Sequence, residues 1–224
     1  MHDIESFEAI ARRRRSVRGY RPEPVDRERI AWALNMAATA PSSCNTQPWS
    51  LHVVSGDVLA RLAGALTRAA ASGENVKRDI DYSTRYEGEM RERQVDAAVR
   101  LFSAEAVDRN DRKAREKSFL RNFNFFGAPH AALIFIPPGG GLREAADCGK
   151  FVQTFMLALG AAGIGSCAQG SLSRHPEIVR EILKLDEPGR LLLGISFGYP
   201  DEGHPTSEVR PPREPLDRFA SFHG

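Results

Sequence analysis

The chain reads as an α+β protein, with a small sheet among more numerous helices. Three observations carry that reading. Helical patterns outnumber short strand patterns. No regular strand–helix–strand alternation appears, which argues against a doubly wound parallel sheet. The unbroken apolar run over 131–136 has the length of a strand buried on both faces. A length of 224 residues suits one domain, 1–224, and 42% hydrophobic residues suffice for a sizeable core.

A first helix is expected over 4–13, with Phe7, Ile10 and Ala11 on one face, ending in the basic run Arg12-Arg13-Arg14-Arg15. A second is expected over 26–40. Asp26 suits its N-cap, Val25 and Ile30 fit a hydrophobic staple, and Pro41 stops it. Residues 42–48 form a polar loop, 50–55 alternate as a strand, and 57–71 make an Ala/Leu helix. The stretch 74–118 is heavily and evenly charged, with helical pieces such as 95–101. Two readings stand: a solvated excursion, or a helical lid over about 74–121. After the strand at 131–136, Pro137 to Gly141 reads as a flexible loop. Residues 147–162 place Phe151, Phe155, Met156 and Leu159 on one stripe, as a central core helix. A short strand at 164–168, a helix capped by Ser173 and running to about Leu183, and a strand at 191–197 complete the elements. From Tyr199 the chain is loop, then an arm over about 205–224 rich in Pro and Arg.

Composition excludes several classes. No apolar run approaches the roughly 20 residues that span a bilayer. The polar, acidic start Met1-His2-Asp3-Ile4-Glu5 does not suit a secretory signal, so a cytoplasmic protein is expected. Three cysteines without Cys-x-x-Cys and six histidines without His-x-x-x-His suggest neither a disulfide framework nor a metal site. A net charge of +2 does not call for nucleic acid.

Six stretches carry candidate chemistry. Gly194-Ile195-Ser196-Phe197-Gly198 matches G-x-S-x-G, but that motif needs a strand, a sharp turn and then a helix, and no helix begins here. Gly163-Ile164-Gly165-Ser166-Cys167-Ala168 follows a helix and overlaps a strand, the reverse of the dinucleotide fingerprint; its glycines suit a helix end and close packing. The basic run at 12–15 reads as a solvated helix end or, with Ser16 and Arg18, as a clamp for a phosphate and for ring carbonyls. Pro41-Ser42-Ser43-Cys44-Asn45-Thr46-Gln47-Pro48-Trp49 sets neutral donors and acceptors on a stiff loop. Ala168-Gln169-Gly170 lets backbone approach a flat ligand, and Arg210-Pro211-Pro212-Arg213 adds cations on a stiff arm. Together they describe an anionic, planar, polar-edged ligand.

These segments, with Phe126-Gly127-Ala128-Pro129 and Ile195-Ser196-Phe197-Gly198-Tyr199-Pro200, resemble the FMN-dependent nitroreductase family, in the family's order along nearly the whole chain. The resemblance implies a central, mostly antiparallel sheet wrapped by helices. It also implies a homodimer with FMN at the subunit interface and a C-terminal arm crossing to the partner. Carried over, Arg14, Arg15 and Ser16 bind the phosphate and ribityl side, and Arg18 addresses the pyrimidine edge. Pro41, Ser42, Ser43, Asn45 and Gln47 belong to the other subunit's contribution. The Ala168-Gln169-Gly170 segment approaches the ring, with the backbone of Gln169 and Gly170 donating to flavin N5, and Arg213 with Arg210 completes the phosphate clamp. Many relatives have an acidic residue where this chain has Gln169. The implied activity is NADPH- or NADH-driven reduction of nitroaromatics, quinones or similar small aromatic acceptors by a ping-pong scheme, with no protein residue as obligatory catalyst. Same-fold reductive dehalogenation, flavin fragmentation and a non-enzymatic flavin-binding role are the alternatives.

Overall fold

The computed structural model describes residues 2–73, 76–81, 85–186 and 189–224. The opening of the charged excursion, at 74–75 and 82–84, lies outside the described residues. In chain order the elements are α1 (His2–Arg13), α2 (Arg27–Ala37), β1 (Ser50–Ser55), α3 (Gly56–Ser72), α4 (Gly88–Ala104), α5 (Arg112–Leu120), β2 (His130–Ile136), α6 (Leu142–Ala161), β3 (Gly165–Gln169), α7 (Pro176–Leu183) and β4 (Arg190–Gly198). The sheet order is β1-β2-β4-β3, antiparallel at every pairing.

Strand β2 explains why its sequence is apolar without alternation. Ala132, Ile134 and Ile136 pack with Ile30 and Ala33 of α2 and with Phe151, Phe155 and Leu159 of α6. Ala131, Leu133 and Phe135 point the other way, onto Leu59, Leu62 and Leu66 of α3 and Val179 of α7. Successive residues of a strand face opposite sides, so two helical layers require an apolar residue at every position.

Element boundaries depart from expectation where local hydrogen bonds decide them. Helix α6 starts at Leu142, five residues early, because the Glu144 carboxylate reaches back to accept from the Gly141 N–H at 2.7 Å. Ser173 caps nothing. Its hydroxyl donates to the Gly170 carbonyl at 2.9 Å within a 3-10 turn over Gly170–Arg174, and α7 begins instead with Pro176 in its first turn. Asp26 occupies the N-cap of α2 without a side-chain cap bond, while the staple pair Val25 and Ile30 is buried in one cluster. Helix α2 ends at Ala37, three residues early, in turns closed by Thr39 N–H on the Met36 carbonyl and Ala40 N–H on that of Ala37.

After α6, Gly163 takes φ +76°. Its N–H and that of Ile164 donate to the carbonyls of Gly160 and Leu159, a Schellman ending that turns the chain directly into β3.

The charged excursion forms α4 and α5. No residue of α4 is buried, and Met90, Val95 and Val99 stand exposed. Segment 76–81 is held to the core through the Asp79 carboxylate, which accepts from the Leu191 N–H at 2.7 Å and pairs with Arg180 at 2.5 Å. Beyond Val209 the arm is largely exposed and lies along α4 of its own chain, through Arg93–Glu214 at 2.9 Å and Arg218–Glu89 at 2.5 Å. Among the described residues no helix is long and apolar enough to cross a membrane.

Phe155 is fully buried and meets Phe197 edge-on at 5.8 Å, joining α6 to the sheet. Phe155→Ala is expected to lower unfolding free energy by about 3–5 kcal/mol, measured by urea denaturation with an unchanged m-value.

Candidate functional site

The site begins where α1 ends. The Val17 N–H donates to the Ser166 carbonyl at 3.0 Å, and Ser16 pairs with Ser166 in a parallel bridge. The strap 14–18 therefore lies along the free edge of β3. Gly165 permits this approach: a Cβ there would sit 2.6 Å from Val17 Cγ2. The Tyr20 hydroxyl lies 2.8 Å from the Val17 carbonyl and 3.1 Å from that of Ser196, and burial pushes its ionisation well up, so it stays a donor.

Beside the strap opens a cavity of about 630 Å³, walled by α1, by Arg14, Arg15, Ser16 and Arg18, and by Val209 to Arg213 of the arm. The half-buried Arg14 guanidinium has its pKa lowered, first by burial and next by the charge of Arg213. Arg15 is already neutralised by Glu202 at 2.8 Å. Arg210 donates to the Ser207 carbonyl at 2.7 Å and Arg213 to that of Pro211 at 2.9 Å. Among the described residues no carboxylate lies within ion-pair distance of Arg14, Arg18, Arg210 or Arg213. Glu8 of α1 also lines the cavity but is paired with Arg12 at 2.6 Å. The guanidinium groups left without an acid favour an anion, and a phosphate meets them with forked hydrogen bonds.

The end of β3 supplies a flat approach. Ala168 and Gly170 are exposed, while Gln169 is turned inward. Its Nε2 donates to the Asn122 carbonyl at 2.9 Å, and its Oε1 accepts from the Ser196 hydroxyl. The Gln169 side chain is therefore engaged in the interior and does not line the cavity. Ser196 is fully buried in that bond, which rules out a nucleophilic role for the G-x-S-x-G match. Burial pushes the Cys167 thiol up, against the opposing pull of Arg18, Ser16 and Arg14, so it remains a neutral packing group.

Loop 41–48 is built separately. The Ser43 N–H donates to Asp147 at 2.9 Å, and the Gln47 N–H donates to the Ser42 hydroxyl at 2.9 Å. Lys150 first, and then the Ser43 N–H, hold the Asp147 carboxyl below its usual range. Cys44, Asn45 and Gln47 adopt φ of 50°, 57° and 46°, in the left-handed region. Trp49 then packs its ring, tilted by 32°, against Phe151 at 4.9 Å and fixes the exit.

The strap is tied to α6 through Arg13, which donates to the Gly160 carbonyl at 2.9 Å, whereas the loop is tied at Asp147. Thirteen residues separate these anchors, roughly 20 Å at the helical rise. Pro41, Ser42, Ser43, Asn45 and Gln47 do not line the cation cavity of their own chain. Within one chain, then, the structure brings together Arg14, Arg15, Ser16, Arg18, Arg210 and Arg213, sets Ala168-Gln169-Gly170 beside them, and leaves 41–47 apart.

The nitroreductase family profile matches residues 11–199. The chain belongs to the nitroreductase family. It is 39% identical over 219 residues to nitroreductase NfnB of Mycolicibacterium smegmatis, covering 97% of this chain and 93% of that one. It is 32% identical to the 4-nitrobenzoate reductase of Pseudomonas putida, covering 98% and 96%. The crystal structure of the FMN-dependent nitroreductase NfnB from Mycobacterium smegmatis in complex with NADPH superposes with a TM-score of 0.94 at 37% identity, over 99% of both chains. The phosphate-seeking cavity and the flat approach at β3 fit FMN in a member of this family.

Sequence reasoning missed four residues that shape this site: Tyr20, Arg121, Asp147 and His204. Each acts on a segment distant in sequence, Arg121 by donating to the Arg18 carbonyl and His204 by meeting Arg121. Tyr20, Arg121 and His204 lie within a few residues of the motifs at 14–18, 126–129 and 195–200 but stand in none of them.

Arg213→Ala is expected to weaken FMN binding roughly tenfold or more, read by flavin fluorescence titration. The FMN-free variant should melt no lower than the parent in calorimetry, because a repulsive neighbour of Arg14 has been removed.

Proposed function

We propose that the chain is an FMN-dependent nitroreductase that takes its electrons from NADPH and passes them to small nitroaromatic or quinone acceptors. The observation that carries this is the gathering of Arg14, Arg18, Arg210 and Arg213 around one cavity of a nitroreductase-family chain, none of them with a carboxylate at ion-pair distance among the described residues and the lining Glu8 taken by Arg12. The likeness to a relative crystallised with NADPH favours that nicotinamide over NADH. The relatives compared carry nitroreductase and nitrobenzoate reductase names, which favours this reading over dehalogenation, flavin fragmentation or a purely binding role.

The bound flavin supplies two-electron transfer between nicotinamide and acceptor. The chain supplies position and charge. Arg14 and Arg213 neutralise the phosphate, with Arg210 beside them, and Arg15 and Ser16 line the ribityl side. Arg18 meets the pyrimidine edge and stabilises negative charge there. Backbone N–H groups of Gln169 and Gly170 donate at the ring. The Gln169 amide, bound at both ends to Asn122 and Ser196, keeps that backbone in place.

The working unit is a homodimer in the cytoplasm, each site completed by loop 41–47 of the second chain. The anchor spacing along α6 supports this, as do the apolar groups left in water by one chain: Ile4 and Phe7 of α1, Val95 and Val99 of α4, and Phe219 and Phe222 of the arm. The arm reaches the partner while still paired to α4 of its own chain, and α4 and α5 act as a lid over the shared site.

The purified protein is expected to show a flavin absorption spectrum and to oxidise NADPH only when a nitroaromatic or quinone is present, with parallel-line steady-state kinetics. A colourless protein that takes up no added FMN overturns the reading. The heterodimer isolated after co-expressing an Arg14→Ala chain with a Ser43→Pro chain should recover about half the activity, from its one intact site, where each variant alone is inactive. No recovery overturns the shared site.

A further inference from the structure

Arg121, at the C-terminal end of α5, joins four segments. One guanidinium nitrogen pairs with Glu105, the C-cap of α4, at 2.6 Å. The other donates to the Arg18 carbonyl at 2.5 Å and meets His204 Nε2 at 2.9 Å. The guanidinium also lies over the Phe126 ring at 5.8 Å, and Arg18 lies over that ring at 5.9 Å. Glu105 is held in turn by the Ser118 hydroxyl at 2.5 Å.

His204 is fitted to this arrangement. Its ring closes on Gly19, where a Cβ would fall 2.2 Å from Cγ. Arg121 can only donate, so Nε2 accepts from it, while Nδ1 lies 2.9 Å from the Thr206 hydroxyl and 3.2 Å from the Thr206 N–H. Burial first, and then Arg121, hold the imidazole below its usual range, so it is neutral there.

We propose that Arg121 is a positioning residue for the flavin. By binding the Arg18 carbonyl and sharing the Phe126 ring with it, Arg121 holds the Arg18 guanidinium at the flavin's pyrimidine edge and makes that placement depend on α4, α5 and the root of the arm. This rests on the reading of Arg18 given above. Among the described residues Arg18 has no carboxylate partner, and its one side-chain hydrogen bond is a long one, 3.4 Å, to the Ser16 carbonyl. Its direction is therefore set by its backbone and by the ring beneath it.

The test compares Arg18→Gln, Arg121→Gln and the double variant, by FMN dissociation constant and by the midpoint potential of the bound flavin. Arg121→Gln should weaken FMN binding roughly tenfold, the scale of one charged hydrogen bond. It should also shift the potential negative, in the same direction as Arg18→Gln, because positive charge near the ring favours its reduced anion. The double variant should be no weaker than Arg18→Gln alone, since the effect passes through one side chain. Wild-type affinity and potential in Arg121→Gln beside an impaired Arg18→Gln overturn the proposal, as do additive losses. Wild-type behaviour of Arg18→Gln itself overturns the Arg18 assignment, and the proposal with it. Should Arg121→Gln not fold, Glu105→Gln loosens one anchor only and is judged by the same criteria, with a smaller shift in the same direction.

Discussion

Mutual repulsion between Arg14 and Arg213 is the constraint around which the rest of the site is arranged. Both cations line one cavity, and among the described residues neither has a carboxylate at ion-pair distance, Glu8 there being held by Arg12. Each is carried by a segment with little support of its own: the end of a helix with no buried residue, and an exposed arm. The strap is held by its bridge to β3 and the arm by its ion pairs to α4, so backbone and surface contacts keep the two charges close. A dianionic phosphate turns that repulsion into attraction. The cavity is thus organised before the ligand arrives, and most of its electrostatic gain is realised on binding.

The sheet provides the rigid reference for this arrangement. Because β2 is apolar from Ala131 to Ile136 and covered on both faces, the sheet leaves little room for a register slip. The free edge of β3 receives the strap, and the same strand ends at Gln169, where the inward amide fixes the exposed backbone on either side of it.

Much of this was legible from residues alone, for definite reasons. The two-sided burial of β2 is written in six consecutive apolar positions, and the glycines at 163 and 165 read correctly as a helix end and a close approach. The antiparallel sheet and the family followed from motifs in sequence order. Boundaries set by one side chain were not legible. Glu144 extends α6 past the start of its apolar stripe, and Ser173 turns its hydroxyl back into its own turn. The inward rotation of Gln169 depends on Asn122 and Ser196, which no local pattern links to it. Arg121 and His204 looked like ordinary members of charged and polar segments. Their contact, across 83 residues, exists only once α5 and the arm root are folded together.

Helix α6 acts as a spacer, with the cation strap fastened near one end and the loop 41–48 fastened near the other. In the proposed pairing each chain gives its strap to one site and its loop to the other, so the sites arise two at a time and neither belongs to a single gene product. Damage at one end of α6 disables one site of a mixed pair and spares its twin. A cell carrying both an intact and a damaged copy of the gene would then hold a graded population of enzymes with two, one or no working centres.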